Sequence, residues 1–271
     1  MIADIAVFLF GSMVGSFINV CIHRMPLGES IVWPRSHCPH CKKQIRGYDN
    51  IPLISYFLLG GKCRACKQKI SLRYPLVEFL TAVTFLTFYL RYGWSYEFVY
   101  YTLFVCGLII ATFVDMQHRI IPDEISVGGL IIGFILASIK GFHTGPFHFD
   151  CNPMLDSFLG IILGGGIIYL TGITFDFVYF KLLKKPPIQG ETESMGGGDV
   201  KLLAMIGAFL GWKAALLTFF VAPFFGAVFG IYSLLSKKDH TIPYGPFLSA
   251  AAIMMIFYAQ PILDFLIYRY L

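Results

Sequence analysis

The chain has 271 residues, of which 56% are hydrophobic and only 14% charged, and it carries a net charge of +5 at neutral pH. Its mean hydropathy is +0.69. This balance excludes an ordinary soluble domain and points to a membrane protein.

Apolar stretches long enough to cross a hydrocarbon core of about 30 Å recur near 2–22, 74–92, 98–114, 125–142, 155–180, 202–211, 214–235 and 246–267. The first lacks a basic start and a small-residue cleavage site, so it reads as a span and not a removed signal peptide. Residues Leu202 to Leu235 contain a single charge, Lys213. As one helix they would measure about 51 Å, so Gly211-Trp212-Lys213 is predicted to be a tight turn between two helices. The expectation is an all-α polytopic membrane protein of about eight spans with one small polar insertion. Small-xxx-small pairs at Gly11/Gly15, Gly160/Gly164 and Gly226/Gly230 fit close helix packing in lipid. The run Gly164-Gly165-Gly166 lies inside a span and does not suggest phosphate binding. No internal repeat is evident.

The insertion, Arg24 to Arg73, holds Cys38-Pro39-His40-Cys41 and Cys63-Arg64-Ala65-Cys66. Two CxxC pairs at this spacing are a zinc signature, each pair wrapping one edge of a tetrahedral thiolate site. A pair of disulfides is the alternative, and a reducing cytoplasm disfavours it. Four thiolates close the coordination shell, so the metal is expected to be structural. His40 is a spare candidate ligand. Cys21 and Cys106 read as core residues, and Cys151 stands alone on the outward side. Pro146 and Pro153 frame an outward loop, and Lys184-Lys185-Pro186-Pro187 through Ser194 forms an inward polar one.

With both termini outside, 17 of the 21 lysines and arginines fall on the inward side, leaving Arg91, Lys140, Lys213 and Arg269 outside. The positive-inside bias therefore predicts both termini on the outer face and the long polar segments in the cytoplasm. Basic cytoplasmic loops also account for the net charge through anionic membrane lipid, with no need for nucleic acid.

The same orientation puts two aspartates on the cytoplasmic side. Asp115 closes the stretch 98–114, and Asp199 follows Gly196-Gly197-Gly198. Each has a bland reading, Asp115 as a polar residue at a span end and Asp199 as a helix N-cap. Against this, carboxylates at a membrane edge are costly and mark functional sites. The stretch from Leu202 to Gly211 is only about 15 Å long, which draws Asp199 toward the hydrocarbon. Asp123, after Ile121-Pro122, is read as the N-cap of the next helix. If Asp115 and Asp199 face each other they share a proton, one ionised to take a proton from water and one protonated to polarise a carbonyl. The preceding glycines would let a substrate backbone approach closely.

Taken together, Gly15-Ser16-Phe17-Ile18-Asn19-Val20 with Arg24 and Pro26, the two CxxC pairs, Tyr74-Pro75-Leu76-Val77-Glu78, Asp115 through Ile121-Pro122-Asp123, Gly196-Gly197-Gly198-Asp199-Val200-Lys201 and Ile242-Pro243-Tyr244-Gly245-Pro246 resemble the bacterial prepilin peptidases. These are polytopic aspartyl proteases of the GxGD class. The matching stretches run from Gly15 to Pro246 in family order. The resemblance implies that Asp115 and Asp199 are the catalytic pair. It implies cleavage of the short basic leader of type IV prepilins or type II secretion pseudopilins, after a glycine, at the cytoplasmic face of the inner membrane. It also implies S-adenosylmethionine-dependent N-methylation of the new N-terminus, supported by the cysteine-bearing segment. No glycine-rich fingerprint locates the cofactor. The division expected is a first transmembrane helix (1–22), a cytoplasmic four-cysteine zinc-binding segment (23–73) and a transmembrane peptidase core (74–271), with homo-oligomerisation left open.

Two other classes are set beside this one. An ion-coupled transporter would also use buried aspartates, but near the bilayer midplane. A membrane-anchored zinc-ribbon adaptor would use the cysteines and leave the aspartates idle.

Overall fold

The computed structural model describes residues 1–143, 152–183, 196–235 and 243–270. Cys151, Pro146, the Lys184–Ser194 loop, Lys237, Lys238 and Ile242 lie outside the described residues. Those described are helical, with two isolated β-bridges and no named strand among them. They divide into two units, Met1–Val114 and Asp115–Leu271.

The first unit is built on α1 (Ile2–Arg24) and α3 (Arg73–Tyr92), which pack antiparallel. Gly11 lies against Ala82 and Phe85, and Gly15 against Glu78 and Thr81. A Cβ on Gly15 would fall 2.7 Å from the Glu78 Cα, so the Gly11/Gly15 pair is what lets the two backbones meet. Further along, Asn19 Nδ2 donates to the Tyr74 carbonyl at 3.0 Å. Past Gly93, which ends α3 at φ 61°, the chain enters α4 (Tyr96–His118). Phe85, Phe88, Tyr89, Tyr92, Trp94, Phe98 and Tyr101 interlock around that turn. Edge-to-face and offset ring pairs of this kind add to plain area burial.

Between α1 and α3 lies the polar insertion, with a five-residue helix α2 (Ile54–Leu58) and two nearly identical turns. In the first, the Cys38 N–H donates to Lys43 O at 2.9 Å, Lys42 N–H to Cys38 O at 2.9 Å, and Ile45 N–H to Ser36 O at 2.9 Å. In the second, Cys63 N–H donates to Gln68 O at 2.8 Å, Lys67 N–H to Cys63 O at 2.9 Å, and Ile70 N–H to Gly61 O at 2.7 Å. Lys42 and Lys67 both take positive φ, 56° and 60°. CPHCKKQI and CRACKQKI are thus one local motif used twice, a short duplication that was not evident in the sequence alone.

The second unit packs α5 (Asp123–His143), α6 (Pro153–Asp176, continued by a π-turn over Phe177–Leu182), α7 (Gly197–Leu235) and α8 (Gly245–Tyr270). α7 is not one rod. Gly211 has φ 80° and ψ 172°, a conformation that interrupts the helix where the turn was expected. Both its flanks approach the start of α8: Asp199 lies near Asp115, which bonds Gly245, while Gly226 and Phe229 lie against Phe247. A straight helix of 39 residues would be about 58 Å long, so the chain doubles back at Gly211. There the Asp156 carboxylate accepts the N–H of Trp212. Gly160 of α6 meets the backbone of Gly207, and Gly164 that of Leu203. In the Gly164-Gly165-Gly166 run, Gly165 lies against Ala204 and Gly166 has nothing within 4 Å of its Cβ position.

By length and composition, five helices among the described residues could cross a membrane: Ile2–Leu27, Tyr96–His118, Pro153–Tyr179, Gly197–Ile231 and Gly245–Leu266. The protein is therefore a multi-pass membrane protein.

Candidate active site

Asp115 sits in the last turn of α4. The helix stops just beyond it because Arg119 turns to φ 56° and Pro122 follows, which cannot supply a helical N–H. The residue is 6% exposed. Its Oδ2 accepts the backbone N–H of Gly245 at 2.9 Å, a buried bond across 130 residues of sequence. The residue at 245 has to be small: a Cβ there would fall 2.6 Å from that same oxygen.

Asp199 occupies the first turn of α7, where free helix N–H groups favour a carboxylate. Its backbone N–H donates to Gly196 O at 3.1 Å. It is half-buried, and its carboxylate feels the charge of Asp115. Gly198 lies against Ile121, so the Gly196-Gly197-Gly198 run brings the start of α7 onto the loop that follows Asp115. Tyr244, next to Gly245, faces Asp199 electrostatically. Two carboxylates, a backbone N–H and a glycine-lined approach therefore meet in one place.

Asp123 begins α5, as expected, and also does more. Its Oδ1 accepts from Lys201 Nζ at 2.7 Å, tying the α5 and α7 starts together beside the pair. That leaves Lys201 engaged with Asp123, and not with Asp199. Gly245 is the site residue whose role residue-by-residue reading missed. The only hint was a small residue between Tyr244 and Pro246 at the head of an apolar stretch.

The four cysteines of the insertion form the second cluster. Among the described residues, Cys38, Cys41, Cys63 and Cys66 place their sulfurs all within 4.8 Å of one another. The Cys38 and Cys66 sulfurs are 3.9 Å apart. A tetrahedron of Zn–S bonds of about 2.3 Å has edges of about 3.8 Å, so the Cys38–Cys66 edge matches zinc and the four-thiol donor set is compatible with it. Backbone N–H groups of Cys66 and Ala65 aim at the Cys63 sulfur and hold its thiol down at about 6, which favours a thiolate there, while burial and the facing cysteines push Cys66 up to about 11. His40 does not belong to the cluster. Asp49 and Arg64 form a bidentate pair, 2.9 and 2.7 Å, that joins the turn at Gly47–Asn50 to the second cysteine turn.

The insertion is also anchored to its helices. Arg24, at the end of α1, is buried and donates to the carbonyls of Ser30 at 2.8 Å and Pro34 at 2.7 Å. Glu78 of α3 accepts the Leu53 N–H at 2.8 Å, where the backbone turns at φ 60° into α2.

Comparison with known proteins shows the family of the chain. The profile of the bacterial peptidase A24 N-terminal domain matches residues 9–92, and that of the type IV leader peptidase family matches residues 102–231. Prepilin leader peptidase/N-methyltransferases are similar over most of the chain. That of Stutzerimonas stutzeri is 34% identical over 282 residues, covering 94% of this chain and 90% of the relative. That of Pseudomonas aeruginosa is 34% identical over 280 residues, with coverage of 94% and 90%. That of Myxococcus xanthus is 40% identical over 233 residues, 85% of this chain, and the match spans 64% of that longer protein. No solved structure matches the chain. On the matched residues and on these relatives, the chain belongs to the type IV leader peptidase family.

Proposed function

We propose that Asp115 and Asp199 are the catalytic pair of a membrane aspartyl peptidase that removes the basic leader of type IV prepilins or type II secretion pseudopilins. The same chain N-methylates the new N-terminus with S-adenosylmethionine. The observation that carries the peptidase reading is the nearness of the half-buried Asp199 to the buried Asp115, whose carboxylate accepts the Gly245 N–H.

Two adjacent carboxylates cannot both ionise cheaply, so the pair holds one proton. The ionised member accepts a proton from water as the water oxygen attacks the scissile carbonyl carbon. The protonated member donates to the carbonyl oxygen, giving a gem-diol. As the C–N bond breaks, the member that took the water proton passes it to the leaving nitrogen, and a gem-diol hydroxyl returns a proton to the other member, restoring the singly protonated pair. The Gly245 N–H occupies one oxygen of Asp115 and leaves the other to face water or substrate. Gly196 to Gly198 keep side chains away from the peptide that must lie there.

The reading extends to topology. α3, α5 and the two arms of α7 join the remaining long helices as eight spans, with both termini outside and the insertion and both aspartates in the cytoplasm. The charge distribution supports this orientation. Residues 1–22 act as the first span, 23–73 as a zinc-held segment serving methyl transfer, and 74–271 as the peptidase core. Cys38, Cys41, Cys63 and Cys66 would hold a structural zinc. The transporter and adaptor alternatives give no account of the family match.

The test is cleavage of a purified prepilin by wild type, Asp115→Asn and Asp199→Asn in lipid. Each change removes a titrating proton at almost constant size. Loss of cleavage in both, with zinc content and fold kept, is the expected result. Cleavage near the wild-type rate by either one removes that residue from the mechanism.

A further inference from the structure

A groove of about 790 Å³ runs along the inner half of α1 and is roofed by the insertion. One wall is the α1 surface at Met13, Phe17 and Val20. Met13 is 61% and Phe17 50% exposed, although they belong to a helix apolar enough to cross the bilayer. The other side carries Arg24, Arg35 and Arg46, and no acidic residue lines it among the described residues. Arg24 is committed to the Ser30 and Pro34 carbonyls, Arg46 is exposed but donates one guanidinium N–H to the Tyr48 hydroxyl with Asp49 nearby, and Arg35 is exposed at the groove.

The depth of the insertion matters here. Glu78, which holds Leu53, packs at the level of Gly15 on α1, well below the end of that helix at Arg24. In the insertion itself, Val32, Trp33, Phe57 and Leu58 are 80%, 69%, 75% and 79% exposed. Large apolar side chains in such number at the end of a span are the mark of a surface seated in the membrane interface. An occupant of the groove therefore touches hydrocarbon on one side and arginine on the other.

We propose that this groove binds an anionic phospholipid of the inner leaflet, with an acyl chain along Met13, Phe17 and Val20 and the phosphate at Arg35 and Arg46. The charge of the wall selects this occupant. S-adenosylmethionine would set its sulfonium charge against arginines and find no carboxylate for its ribose. The basic leader of a prepilin would be repelled in the same way. The proposal rests on the inward orientation of the insertion and not on the aspartate chemistry, so a failed cleavage assay leaves it standing.

The experiment is native mass spectrometry of the full-length zinc-loaded protein in detergent, titrated with phosphatidylglycerol or with phosphatidylcholine of the same chain length. Wild type is expected to retain one phosphatidylglycerol in preference to phosphatidylcholine. The double variant R35Q/R46Q should weaken phosphatidylglycerol about twenty-fivefold, near fivefold for each arginine beside a lipid phosphate, and leave phosphatidylcholine unchanged. Should the double variant lose its zinc, each single substitution is compared instead, with about fivefold expected. Equal retention of the two lipids, or an unaltered variant, overturns the proposal. Displacement of the phosphatidylglycerol by inorganic phosphate, S-adenosylmethionine or a basic leader peptide also overturns it, since each would mark a different occupant of the groove.

Discussion

The backbone N–H of Gly245, the first residue of α8, donates to Oδ2 of Asp115 at 2.9 Å, so the start of one helix holds the carboxylate at the end of another. This bond fixes the side chain without using a second titrating group. It also makes any side chain at position 245 displace that carboxylate, since a Cβ would stand 2.6 Å from Oδ2 and 3.2 Å from Cγ. Gly245→Ala is expected to push the carboxylate aside and cut leader cleavage about a hundredfold, the usual cost of a misplacement near 1 Å. N-methylation of a precleaved peptide should persist in the same preparation. Wild-type cleavage by the alanine variant would show that Asp115 does not need this donor.

The contact of Gly160 with Gly207 makes a stability prediction. A Cβ on Gly160 would fall 2.2 Å from the Gly207 carbonyl oxygen, which is backbone and cannot swing away. Gly160→Ala should destabilise the second unit by about 1–3 kcal/mol, seen as earlier thermal unfolding in detergent. Gly166, on the same helix, has nothing within 4 Å of its Cβ position. Gly166→Ala should be neutral or slightly stabilising, because alanine is the better helix former.

The matched cysteine turns predict matched losses. Cys38→Ser and Cys63→Ser each remove one ligand from equivalent places. Both should strip the metal, read as zinc per chain by elemental analysis, and both should abolish N-methylation. A chelator applied to wild type should reproduce them. If only one substitution removes metal, the four sulfurs do not act as one shell.

Glu78 offers a test of how the insertion is held. Glu78→Ala removes the acceptor for the Leu53 N–H, whereas Glu78→Gln keeps a carbonyl oxygen in reach of it. Loss of one hydrogen bond worth about 1.4 kcal/mol corresponds to about a tenfold change, so hydrogen exchange at Leu53 should accelerate by about that factor in the alanine variant and change little in the glutamine variant. Equal protection in all three would remove Glu78 as the anchor.

Much of this protein was legible without coordinates, because lipid imposes simple rules. A helix that must cross the bilayer declares itself as a long apolar run. The break at Gly211 followed from length alone, since residues 202–235 are too many for one crossing. The two CxxC pairs declared a closed thiolate site because four cysteines at that spacing have few other uses in a reducing compartment. The Gly11/Gly15 and Gly160/Gly164 pairs likewise met neighbours at close range. The repeat within the insertion was harder to see, because its likeness resides in backbone bonds and only partly in side chains.

The sequence by itself determined the membrane class and singled out the candidate metal ligands and the two candidate aspartates, since each follows from local composition or spacing along the chain. Tertiary structure alone decided which groups surround them. Gly245 lies 130 residues from Asp115, and Lys201 lies 78 from the Asp123 it engages. No periodicity records such pairs, because they depend on how α5, α7 and α8 pack, and a pattern along one helix does not say which distant segment lies against it.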